Sequence, residues 1–137
     1  MKAKISWDGE ARFVAETESH HTVLMDGPPE HGGKNSGPRP MEMMLMAIGG
    51  CAAFDVVHIL KKGRQSIVSC DAQVEAVRSD EVPAVFTKIH LHFKVSGGNI
   101  KENIVRNAVK LSADKYCSAS IMLSTGGVAI THSFELI

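Results

Sequence analysis

The sequence predicts an α+β fold with the element order β-β-β-α-β-β-α-β and antiparallel sheets packed around a long buried central helix. Three observations lead there. Short segments alternate apolar and polar residues at period two, a long apolar run between Pro40 and Lys62 carries helix start and stop signals, and a second helical stripe follows a Gly-Gly break.

Taken in order, Ala3, Ile5 and Trp7 alternate with Lys2, Lys4 and Ser6 as a first strand. Asp8-Gly9 has the residue types of a two-residue hairpin turn, and a second strand follows through Phe13 and Ala15. His21–Asp26 forms a third strand. Residues 27–40 hold four of the five prolines and four of the twelve glycines, which sustain neither helix nor ladder, so this is a long loop. Pro40 fits the first turn of the helix that follows, and Glu42 suits its positive end. Lys61, Lys62 and Gly63 close that helix.

Met41, Met43, Met44, Leu45, Met46 and Ile48 cover more than one face, which predicts a helix buried all round and covered in part by a second subunit. Met41–Leu60 is long enough to cross a bilayer. It carries Glu42, Asp55 and His58, however, and an acidic group at a bilayer centre costs about 2.5–3.5 kcal/mol, so a soluble core helix is expected. Gly49 and Gly50 each cost the helix about 0.5–1 kcal/mol against alanine. Close approach of another backbone or a ligand would offset that.

Val68, Cys70, Ala72, Val74 and Ala76 predict the apolar face of a fourth strand, and Ile89, Leu91, Phe93 and Val95 that of a fifth. Asn99 and Glu102 stand at capping-box spacing before a helix whose stripe is Ile104, Val105, Ala108, Val109 and Leu111. A short helical turn from Cys117 to Leu123 precedes a final strand, with Val128, Ile130, Phe134 and Leu136 on one face.

The chain has 137 residues, 44% of them apolar and 22% charged, which excludes a disordered or fibrous protein and fits a single domain over 1–137. Fifteen basic residues balance fifteen acidic ones. That balance supplies no positive field for nucleic acid or an anionic membrane, so a small molecule or a protein is the expected partner. Three cysteines and no signal segment predict cytoplasmic thiols rather than a disulfide framework. Cys70 lies on a strand's apolar face and reads as packing. Cys51 lies mid-helix among Gly49, Gly50, Ala52 and Ala53, with Asp55 and His58 following on the same face, and reads equally as a reactive thiol or a buried one. Cys117 falls where a helix N-terminus would lower its pKa. His90 and His92 share a strand face with Lys94 and read as a solvated face rather than metal ligands.

Two motifs then coincide. Pro40-Met41-Glu42-Met43-Met44-Leu45-Met46-Ala47-Ile48-Gly49-Gly50-Cys51 resembles the central-helix signature of the OsmC/Ohr family, the osmotically inducible and organic hydroperoxide resistance proteins, and Ser112-Ala113-Asp114-Lys115-Tyr116-Cys117 resembles its second cysteine motif. Within the family the chain is most similar to the YhfA-like branch. The resemblance implies an intertwined homodimer with active sites between subunits. It also implies a thiol-dependent peroxidase in oxidative stress defence. Cys51 would attack an organic hydroperoxide or hydrogen peroxide, Cys117 would resolve the sulfenic acid as a disulfide, and a thiol such as dihydrolipoamide would restore both. No cofactor or metal is implied.

Peroxidase members place an arginine beside the reactive thiolate and a helix-start glutamate beside that arginine. Glu42 falls in the glutamate's neighbourhood, with Met41 where those members carry a second acid. Arg39 is the nearest arginine in sequence, and Lys34 and Arg64 are the alternatives. Ser118 follows Cys117 where peroxidase members carry proline. The competing expectations are a non-catalytic protein that binds an apolar or acyl ligand through the Met-rich helix and the loop over it, or a metal or redox sensor.

Overall fold

A computed structural model describes all residues, 1–137, and the chain forms two compact units, residues 1–44 and 45–137. The first holds β1 (Ala3–Trp7), β2 (Phe13–Thr17) and β3 (Thr22–Met25), an antiparallel sheet in that order. Trp7 pairs with Phe13, so residues 8–12 form the connection and the expected two-residue turn at Asp8-Gly9 is corrected to a five-residue one. The longer loop is held by an Asp8–Arg12 ion pair and by the Trp7 indole N–H donating to the Glu10 carbonyl at 2.9 Å. Ile5 and Trp7 lie exposed, so the apolar row of β1 has no cover within the chain.

The proline-rich loop is ordered around one buried carboxylate. Asp26 accepts from the backbone N–H groups of Gly27 (2.8 Å), Lys34 (3.0 Å) and Ser36 (3.1 Å) and from the Ser36 hydroxyl (2.7 Å). These donors stabilise the ionised form, the Ser36 hydroxyl most, and hold its pKa down at about 2. The loop closes tightly enough that a Cβ on Gly33 would stand 1.7 Å from the Gly27 carbonyl oxygen.

Helix α1 spans Pro40–Lys62, with the bounds its start and stop signals predict. Its length and apolar composition would suffice to cross a membrane, but Ile48, Ala52, Val56 and Leu60, spaced by four, are fully buried in the second unit's core. Full burial is confined to that stripe and the adjacent Gly49. Met46 and Phe54 face outward, Phe54 at 72% exposure, so the helix expected to be buried all round is buried on one side within a single chain.

The second unit continues through β4 (Ser66–Arg78), β5 (Phe86–Gly98), α2 (Glu102–Leu111), a π-helical turn (Ser112–Tyr116), α3 (Ser118–Thr125) and β6 (Ala129–Leu136). The sheet order is β4-β5-β6. β4 and β5 pair antiparallel, whereas β5 and β6 pair parallel, which corrects the expectation of antiparallel pairing throughout. The reason is the connection: α2, the π-turn and α3 form a crossover long enough to return the chain in the same direction.

The β5 residues Ile89, Leu91, Phe93 and Val95 are buried as their alternation predicts, and Val105, Ala108 and Val109 of α2 join them. Val68 does not share the Cys70 face. A register irregularity between Ile67 and Ser69 breaks the alternation and leaves Val68 81% exposed. The expected Asn99 capping box is also absent. Asn99 adopts a left-handed conformation (φ 54°) and Lys101 caps α2 without a side-chain bond, its N–H donating instead to Gln65 Oε1 at 3.1 Å.

Candidate functional site

Helix α1 carries Cys51 half-buried and, one turn on, Asp55 on the same face. The third member arrives from the crossover. Because residues 112–116 form a π-helical turn, the chain is wound one residue wider before it breaks at Cys117, whose φ of −69° and ψ of 104° make it the N-cap of α3. Two hydrogen bonds fix that corner. The Ser112 hydroxyl, buried, donates to the Ala52 carbonyl at 3.0 Å, which ties the π-turn to α1 next to Cys51, and the Cys117 N–H donates to the Ser112 carbonyl at 2.8 Å. The sulfurs of Cys51 and Cys117 and a carboxylate oxygen of Asp55 consequently lie within 4.8 Å of one another.

Cys117 is fully buried, and its sulfur accepts from the Ser120 N–H at 3.4 Å. The capping position alone would lower its pKa, as expected from the sequence. The correction is that burial outweighs the Ser120 hydrogen bond, and with Cys51 close by the thiol is held above its usual value. The neighbouring glycine is explained as well: a Cβ on Gly49 would come within 2.8 Å of Val74 Cγ2 on β4, so the close approach inferred at this position is to a strand side chain. At Gly50 the same construction meets no heavy atom within 4 Å.

The remaining candidates have other settings. Arg39 and Glu42 pair with each other: the Arg39 backbone N–H donates to Glu42 Oε2 at 2.9 Å, and its guanidinium stands 3.7 Å from Oε1. As the Met43 N–H donates to the Arg39 carbonyl, Glu42 closes half of a capping box at the start of α1. Lys34 pairs with Glu10 at 3.2 Å, and Arg64, left-handed at φ 55°, terminates α1. Cys70 lies half-buried opposite Val95 in the sheet, its pKa raised by burial and then by Asp71. His58 stacks on Phe54 and, with Asp55, Lys62, Ile104, Leu111 and Tyr116, lines a cleft of about 540 Å³.

His90 and His92 lie on a partly exposed sheet face and are hydrogen-bonded there. His90 contacts the hydroxyls of Thr131 (2.7 Å) and Ser133 (2.8 Å), and His92 contacts Ser133 (2.8 Å) and Glu135 (3.4 Å), so their ring nitrogens are already taken. Sequence reading placed the pair correctly on one face but missed its partners, because those depend on the parallel register of β6. Asp55 was visible as a neighbour of Cys51. Its approach to Cys117 depends on the π-turn, which has no sequence signature of its own here.

A family model described as OsmC-like protein matches residues 33–133. The chain is 48% identical to Protein YhfA of Escherichia coli K12 over 100% of its own length and 98% of that protein. A hypothetical protein from Aquifex aeolicus VF5 has a solved structure 27% identical to the chain, with a TM-score of 0.82 over 99% and 96% of the two chains. A structure from Legionella pneumophila, described as an organic hydroperoxide resistance protein OsmC and predicted redox protein, has the same fold at 18% identity, with a TM-score of 0.73 over 98% and 95%.

Proposed function

This chain belongs to the OsmC-like protein family, and from that premise we propose that it is a two-cysteine, thiol-dependent peroxidase acting in the cytoplasm in oxidative stress defence. The observation that carries the reading is the meeting of the Cys51 and Cys117 sulfurs within 4.8 Å, one half-exposed on a helix and one sealed at a helix cap. The Cys51 thiolate attacks the distal oxygen of an organic hydroperoxide or hydrogen peroxide. The O–O bond breaks, the leaving oxygen takes a proton and departs as alcohol or water, and Cys51 becomes a sulfenic acid. The Cys117 sulfur then displaces the hydroxyl, which leaves as water, and a disulfide forms. A dithiol such as dihydrolipoamide returns two electrons and two protons by exchange, becoming a disulfide itself.

Burial of Cys117 suits the resolving role, since a neutral, shielded thiol does not compete for peroxide. Arg39, oriented by Glu42, is the proposed cation for the Cys51 thiolate, with Lys34 and Arg64 as alternatives. The apolar outer face of α1 at Met46 and Phe54 and the bare row of β1 are proposed to be covered by a second copy in a homodimer.

Rapid mixing of the reduced protein with an alkyl hydroperoxide tests the reading. Thiol loss is expected to be at least about a hundredfold faster than in Cys51→Ser, since removing an attacking nucleophile costs that order or more. Loss no faster than in the variant overturns it and leaves the second reading, a non-catalytic protein whose 540 Å³ cleft takes an apolar or acyl ligand or whose thiols sense redox state.

A further inference from the structure

We infer that Cys51, Asp55 and Cys117 form a three-ligand site for a thiophilic divalent cation such as Zn²⁺. Peroxide chemistry accounts for the two sulfurs but gives no use to the carboxylate. Asp55 stands one helical turn from Cys51 and within 4.8 Å of both sulfurs, where a thiolate and a carboxylate repel each other. A dication reverses the sign of that interaction and draws all three groups inward.

The donor set has the right chemistry. Two thiolates and one carboxylate suit zinc, and three protein ligands with an open fourth position is the arrangement of zinc sites that keep an exchangeable water. Bond lengths of about 2.3 Å to sulfur and about 2.0–2.2 Å to oxygen place tetrahedral ligands roughly 3.5–3.8 Å apart. The observed limit of 4.8 Å is therefore closed by side-chain rotation of about 1 Å. The framework is already rigid, because Cys51 and Asp55 share α1 and Cys117 is fixed through Ser112 and Ser120.

Binding exchanges protons for one metal ion: each sulfur still protonated gives its proton to solvent, and each sulfur donates a pair to the cation. No oxidant or reductant is involved. A disulfide between the same sulfurs and a bound cation exclude each other, so the metal would protect both thiols until it is withdrawn. The inference uses the same sulfurs as the proposed peroxidase but does not require peroxide chemistry.

Titration of the reduced full chain with Co²⁺ under anaerobic conditions tests it. A thiolate-to-cobalt charge-transfer band should saturate at one ion per chain, and excess Zn²⁺ should remove it. Cys51→Ser and Cys117→Ser should lose the band, Asp55→Asn should weaken binding about tenfold or more, and Cys70→Ser should bind as the natural chain does. No band, a band that survives in Cys51→Ser, or equal affinity in Asp55→Asn overturns the site. Should Cys117→Ser fail to fold, alkylation of the natural protein with and without Zn²⁺ decides: protection of both Cys51 and Cys117 is expected, and protection of neither overturns it. Metal binding without peroxide-driven thiol loss would overturn the proposed peroxidase alone, and the reverse result would overturn the metal site alone.

Discussion

At the scale of single residues, the cysteines differ in what surrounds them rather than in spacing. Cys117 keeps its thiol neutral because burial outweighs the Ser120 hydrogen bond. The same competition has the opposite outcome at Asp26, where the Ser36 hydroxyl and three backbone N–H groups outweigh burial and hold the carboxyl at about 2. The linkage follows from that sign. A carboxylate depressed in the folded state contributes stability that is present above its ordinary value of 3.8 and is lost as the pH falls through about 2. Asp26→Asn, which cannot accept those four bonds as an anion, should lower Tm at pH 7. The gap to the natural protein should shrink as the pH falls from 3.8 toward 2. Thermal unfolding across that range checks it, and a gap independent of pH would refute the clamp.

The elements show where pattern reading succeeds and where it stops. Both ends of α1 were legible, because Pro40 and Lys61-Lys62-Gly63 are local signals and the Ile48, Ala52, Val56, Leu60 stripe has one period. The face of β4 was legible only from Cys70 onward, because the irregularity at Ile67/Ser69 resets the alternation and nothing in Ile67-Val68-Ser69 announces it. β6 was found but its direction was not, since strand direction depends on the crossover rather than on strand residues. Gly49 belongs to this scale. Replacing it with alanine gains about 0.5–1 kcal/mol of helix propensity. The added methyl meets a β-branched side chain on a paired strand at 2.8 Å, and such overpacking costs about 1–3 kcal/mol. Gly49→Ala should therefore destabilise by about 1 kcal/mol in denaturant unfolding, and Val74→Ala in the same chain should relieve the contact. A stabilised Gly49→Ala would contradict the packing.

At the scale of the whole molecule, the family and its architecture were legible because the central-helix run and the second cysteine motif are local strings. The site was only half legible. Cys51 and Cys117 could be paired by resemblance, whereas the role of Ser112 in joining the π-turn to Ala52 and the inclusion of Asp55 are tertiary facts. The outward residues of α1 and the bare row of β1 leave apolar surface that a single chain does not cover. In solution the protein should have twice the chain mass by light scattering, and Phe54→Glu should shift it toward the single chain. A natural protein of single-chain mass would contradict the homodimer.

Cys51 and Cys117 are proposed to act on peroxide as a pair. Peptide mapping of the protein after one equivalent of organic hydroperoxide, with free thiols blocked at quench, decides whether they do. Expected are a Cys51–Cys117 disulfide within one chain, Cys70 recovered as a free thiol, and Cys51 held as its sulfenic acid in Cys117→Ser. Recovery of Cys51 and Cys117 as unmodified thiols, or a disulfide that involves Cys70 instead, would contradict the proposal.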